Sequence, residues 1–108
     1  MRSISLIVVH CSATRENQRY SLMQLIRDHQ ERFGFTGYHY YVTREGYVYQ
    51  TRHEQLAGAH ARGYNQHSIG ICYEGGLDRD GQKKDTRTLK QKEALLKELD
   101  LLTAKYRD

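Results

Sequence analysis

At 108 residues the chain is long enough for one hydrophobic core and too short for two. It contains neither Pro nor Trp, and 28% of its residues are charged, which excludes fibrous and disordered classes and describes a soluble globular domain. The net charge of +4 is spread along the chain, so it favours anionic partners only weakly and selects none of them.

Six histidines against two cysteines point to imidazole chemistry more than to a disulfide scaffold. Cys11 and Cys72 lie in or beside strand-like runs and read as small buried thiols. The short apolar run after Ser3 cannot form a signal-peptide core or cross a membrane. The expectation is synthesis in the cytoplasm without a signal peptide, and no membrane contact.

The run Ile4-Ser5-Leu6-Ile7-Val8-Val9-His10 is nearly all apolar and β-branched in its middle. It lacks the alternation of a half-wet strand, so it predicts a central strand covered on both faces. Ligands in open α/β sheets gather where such strands end, which makes His10 a candidate site residue. A histidine that merely closes the strand with a hydrogen bond fits the same stretch. Residues 15–19 are polar and charged, as in a loop. Ser21 and Gln24 then have the spacing of a capping box. Leu22, Leu25, Ile26, His29 and Phe33 fall on one helical stripe, with Gly34 as its C-cap. His29 reads as a packed residue rather than a ligand.

Residues 38–43 and 47–51 are rich in Tyr, Val and Thr and flank Arg44-Glu45-Gly46, a hairpin pattern. Alternation puts Tyr38, Tyr40 and Val42 on one face, with His39, Tyr41 and Thr43 on the other. One end of the hairpin can therefore offer a tyrosine or a histidine to the side of His10. Residues 53–68 form a long loop carrying three histidines and several small residues, and loops of that length in small domains are usually functional. Residues 69–73 read as a further short buried strand and residues 77–87 as a solvated loop. Thr88 and Gln91 repeat the capping-box pattern, and Leu95, Leu99, Leu102 and Tyr106 mark the buried stripe of a closing helix. The order strand, helix, hairpin, strand, helix predicts an α/β fold, an α+β mixed sheet flanked by helices, in a single domain over residues 1–108.

Four separated pieces carry a family likeness: Val9-His10-Cys11-Ser12-Ala13-Thr14, Gly37-Tyr38-His39-Tyr40, Gly58-Ala59-His60-Ala61-Arg62-Gly63-Tyr64-Asn65, and Ser68-Ile69-Gly70-Ile71-Cys72 running into Gly75-Gly76. In order and spacing they resemble the zinc-dependent N-acetylmuramoyl-L-alanine amidases of the phage T7 lysozyme type, whose fold is shared with the peptidoglycan recognition proteins. The resemblance implies an endolysin-like hydrolase of the bacterial cell wall. It would cut the amide between N-acetylmuramic acid and the first L-alanine of the stem peptide in peptidoglycan. Such enzymes hold zinc with two His and one Cys and leave a position open for water. His10 matches the first zinc ligand. Tyr38 matches the tyrosine beside the metal-bound water, a catalytic position. His60, Arg62 and Asn65 match the substrate-binding loop, and Cys72 matches a buried strand residue rather than a ligand.

The family places its second His and its Cys ligand on a strand and loop that follow the long C-terminal helix, and the present sequence ends at Asp108 as that helix ends. The resemblance therefore implies a domain without the family's C-terminal strand and loop, and an uncovered sheet edge is expected to invite self-association. Three functional readings follow. One is an amidase whose C-terminal segment lies outside these residues. Another is a non-catalytic module that binds the stem peptide of peptidoglycan. The third is a rebuilt metal site using His10 with His39, His60 or His67. Nucleic-acid binding has no motif or basic-aromatic strip to support it.

Overall fold

Two apolar runs, Leu6–Cys11 (β1) and Ser68–Tyr73 (β5), pair in parallel, with Ile7 opposite Ile69, Val8 opposite Gly70 and His10 opposite Cys72. The computed structural model to which they belong describes residues 1–107. The hairpin expected from the Tyr- and Val-rich runs is present as Tyr40–Val42 (β3) and Val48–Gln50 (β4), with Gly46 at positive φ in the turn. β3 lies parallel to β5, giving a mixed four-stranded sheet in the order β1-β5-β3-β4. A second, two-stranded sheet joins Thr14–Arg15 (β2) to Gly76–Leu77 (β6). Neither β2 nor β6 has an apolar pattern of its own, which is why residues 15–19 and 77–87 read as loops.

The two helices cover opposite faces of the sheet. Leu22–Phe33 (α1) starts at Ser21, whose side chain accepts from the Gln24 N–H, and ends at Gly34 in the left-handed region. Its capping box is only half made, because the Gln24 side chain turns to Asp28 instead. Leu25 of α1 packs against Tyr41 and Cys72. Leu89–Lys105 (α2) carries the complete box, with Thr88 and Gln91 each bonding the other's backbone. Leu95 and Leu102 of α2 pack against Tyr40, Val42, Ile69 and Ile71, while Leu99 and Tyr106 sit at the margin. Burying each of these aliphatic side chains contributes about 1.5–3 kcal/mol. The buried Gln91 amide donates to the Glu74 carbonyl at 2.9 Å, fixing α2 to the sheet.

β1 departs from the expectation of a strand that is central and covered on both faces. Among the described residues it is an edge strand, paired only with β5, and Leu6 and Val9 remain 42% and 41% exposed. An unbroken apolar run reports low polarity, but it does not report how many neighbours the strand has. Tyr38 departs as well. It packs with Tyr41, Cys72 and Leu25 on the α1 side, not with Tyr40 on the α2 side. The strand begins at Tyr40, so two-residue alternation does not extend back to Tyr38.

Candidate active site

The register of β1 on β5 puts His10, Gly70 and Cys72 on the α1 side of the sheet. The candidate site is built there, on the face of the sheet rather than in the crevice beyond the strand ends. His10 Nε2 lies 2.9 Å from Nδ1 of His60, and the two rings meet edge-on. Tyr38 stacks at a tilt 5.4 Å from His10 and 6.4 Å from His60, measured between ring centroids. Its other flank is covered by His29, 5.0 Å away, whose Nδ1 accepts the Gly37 N–H at 2.8 Å. His29 is thus a packed residue, as its helical stripe implied, and it buttresses Tyr38.

Three glycines let these rings approach the backbone. A Cβ on Gly70 would stand 2.6 Å from the His60 ring, and Cβ atoms on Gly37 and Gly58 would meet the carbonyls of Ala59 and Gly37 at 2.3 Å. The loop over residues 53–68 is tied down at several points. Asn65 Oδ1 accepts the N–H groups of His60 and Ala61 at 2.9 and 3.0 Å, so this side chain shapes the turn that presents His60. Arg62 stands exposed on the same turn. Arg2 reaches the carbonyls of Glu54, Asn65 and Ser68, clamping both ends of the loop. The buried Glu54 accepts from Lys105 at 2.8 Å and from the hydroxyls of Tyr40 and Tyr106, anchoring the loop to α2.

The site is a set of neutral groups at neutral pH. Burial lowers the pKa of His10, and burial followed by the positive charge of Arg32 lowers that of His29. Burial, then the neighbouring His10, His39 and Arg2, lowers His60 to about 4. Burial and then the Cys72 thiol push Tyr38 far above the ordinary phenol range, so its hydroxyl keeps its proton. Cys72 is fully buried and its thiol is pushed up, consistent with a strand residue rather than a thiolate ligand. Cys11, in contrast to the expectation of two buried thiols, is half-exposed at the end of β1.

His10, Tyr38 and His60 are therefore brought together, Asn65 acts on His60 from behind, and Arg62 projects from the loop. Sequence reasoning did not find the supporting roles of Arg2 and His29. Arg2 acts across 52 to 66 residues of sequence, which no local pattern records, whereas His29 meets Gly37 only eight residues on, and its placement on a buried stripe hinted at its role.

A comparison with a family model matches residues 1–107 to the N-acetylmuramoyl-L-alanine amidases. The chain belongs to that family. It is 39% identical over 105 residues to the endolysin of Escherichia phage T7, covering 96% of this chain and 70% of the endolysin. In structure the chain is similar to the N-acetylmuramoyl-L-alanine amidase LysC from Clostridium intestinale URNW. The TM-score is 0.80 at 28% identity, over 97% of this chain and 66% of that protein. The bumblebee peptidoglycan recognition protein SA gives a TM-score of 0.76 at 27% identity, over 94% of this chain and 62% of that one. The chain thus spans about two thirds of the length of these relatives, and the mixed α/β sheet expected from the family likeness is the one observed.

The amidase family implies a zinc ion, and the donors present decide whether these residues alone can hold one. Among the described residues no three His, Cys, Asp or Glu side chains converge. His39 cannot complete a rebuilt centre, because its Nδ1 accepts the Gly70 N–H at 3.1 Å and its Nε2 donates to the Leu56 carbonyl at 2.8 Å. His67 is exposed and faces the Ser3 carbonyl. The expectation of a metal site rebuilt from these histidines is not met. By themselves the described donors do not fit a zinc centre, which takes three protein ligands around an open position.

Proposed function

We propose that these residues form the stem-peptide groove and the His10–Tyr38 half of the catalytic centre of an N-acetylmuramoyl-L-alanine amidase acting on the peptidoglycan of the bacterial cell wall. The observation that carries this reading is the convergence of His10, Tyr38 and His60 on one face of the sheet, in a chain that belongs to the amidase family. Hydrolysis of an amide needs a donor for the carbonyl oxygen as it gains negative charge. The protonated hydroxyl of Tyr38 is such a donor, held in place by His29. The neutral imidazole of His10 supplies a nitrogen beside it. Arg62 is exposed on the loop, and in this reading its guanidinium pairs with a stem-peptide carboxylate.

In this reading the ligands that would join His10 at a zinc centre come from outside the described residues. The chain alone then captures the peptide more readily than it cuts it. A second reading, a peptidoglycan-binding module without turnover, is favoured by the donor set itself.

Titrating the chain with muramyl-L-alanyl-D-isoglutamine, with and without added zinc, separates these possibilities. Saturable binding is expected, and Arg62→Ala should weaken it about tenfold, the loss of one charge-assisted contact. Release of free L-alanyl-D-isoglutamine by the chain itself supports the enzyme reading, and a bound but intact glycopeptide supports the binding module. Absence of saturable binding contradicts both.

A further inference from the structure

Arg2 and the last turn of α2, far apart in sequence, meet on one residue of the loop over 53–68. The buried carboxylate of Glu54 accepts from Lys105 Nζ at 2.8 Å and from the hydroxyls of Tyr106 and Tyr40. Its backbone carbonyl accepts from Arg2 Nε at 3.1 Å. Burial acts to raise the pKa of Glu54, but the bonds from Lys105, Tyr106 and Tyr40 outweigh it and hold the carboxyl below its usual range. Glu54 is therefore an anion at neutral pH.

The turn that presents Arg62 has little else to hold it. Residues 61–66 bond mainly within the loop: Asn65 Oδ1 accepts the Ala61 N–H, and the Ala61 carbonyl accepts the Tyr64 N–H at 2.8 Å. Among the described residues, their hydrogen bonds to anything beyond the loop all come from Arg2. It donates to the Asn65 and Gln66 carbonyls at 3.0 and 3.3 Å. One guanidinium thus joins the turn to Glu54, and Glu54 joins both to α2. Its planar fork serves several carbonyls at once, where a lysine ammonium is a single point.

We propose that Arg2, Glu54, Lys105 and Tyr106 form a clasp that holds the 61–66 turn in the conformation presenting Arg62 to a stem peptide. All four are positioning residues, and a loop ordered beforehand spares the bound peptide the cost of ordering it. The role in peptide capture rests on the proposed function, whereas the clasp itself does not.

Hydrogen exchange of the His60 and Ala61 amides, followed by NMR in the intact chain, reports opening of the turn, because both N–H groups are bonded to Asn65 Oδ1. Lys105→Met combined with Tyr106→Phe keeps the bulk of both side chains. It should speed that exchange about tenfold or more, the loss of bonds to a charged acceptor. Arg2→Lys should do the same from the other side, while amides in β3 and β5 keep their protection. Faster exchange confined to the end of α2 is the mark of a purely structural contact and overturns the clasp. Unchanged exchange at His60 and Ala61 in either folded variant overturns it too. Should the double variant not fold, Tyr106→Phe alone takes its place. Muramyl-L-alanyl-D-isoglutamine at about 100 times its Kd should slow exchange in the variants about a hundredfold, since a ligand that binds only the closed turn stabilises it by that factor. Binding that leaves the exchange as fast as before overturns the role in capture. Failure of the unsubstituted protein to bind contradicts the proposed function, and the clasp is then judged from the free protein.

Discussion

Tyr38 and His60 owe their positions to residues that have no chemistry of their own. Gly70 is the clearest case, because the His60 ring lies where a side chain on that strand residue would stand. Gly70→Ala should drive His60 off the sheet and break its contact with His10, destabilising the fold by about 1–3 kcal/mol, as over-packing does. Urea denaturation measures the loss, and an unchanged midpoint would show that the ring moves aside freely. At this scale the sequence was partly legible. His10, Tyr38 and His60 stand in motifs whose residue types already pointed to a site. Asn65 also stood in a motif, but its side chain is occupied by the His60 and Ala61 N–H groups, so it shapes the loop more than it offers itself to a ligand. Arg2 was illegible, because its partners lie 52 to 66 residues away in sequence and only the folded chain reveals them.

Among the elements, β1, α1, the residue before β3 and the loop over residues 53–68 carry four imidazoles whose pKa values are all lowered, chiefly by burial: His10, His29, His39 and His60. The sign of the consequence follows from proton binding. Below the ordinary value of 6.5 the unfolded chain takes up protons at these rings while the folded chain does not, until the lowered values are reached, about 4 for His60. Stability should therefore rise with pH up to about 6.5 and fall steadily on acidification from pH 6.5 to 5, before most carboxylates titrate. Chemical denaturation at pH 7 and pH 5 checks this, and equal midpoints would contradict the burial of these rings as neutral groups. Helices α1 and α2, with their caps and stripes, and the β3–β4 hairpin could be read from local pattern, since their signals are periodic and short-range. The edge position of β1 and the pairing of β2 with β6 could not, because strand neighbours are set by tertiary contact and not by local sequence.

For the whole molecule, the sheet divides two tasks. Its α2 face holds the larger apolar cluster, while its α1 face carries a smaller one and the imidazoles and tyrosine of the candidate site. A separate groove of about 660 Å³ lies between the start of β1 and the end of α2, lined by Ile4, Leu6, Leu99, Leu102 and Tyr106. Its wall also carries Ser3, Thr103 and Arg107, but none of His10, Tyr38 and His60 lines it. The most direct measurement is the crystal structure of the chain with muramyl-L-alanyl-D-isoglutamine. The account predicts the lactyl–alanine amide on the α1 face, its carbonyl oxygen within hydrogen-bond reach of the Tyr38 hydroxyl and beside His10. A glycopeptide seated in the groove between β1 and α2, or on the α1 face with its amide turned away from Tyr38, would contradict it.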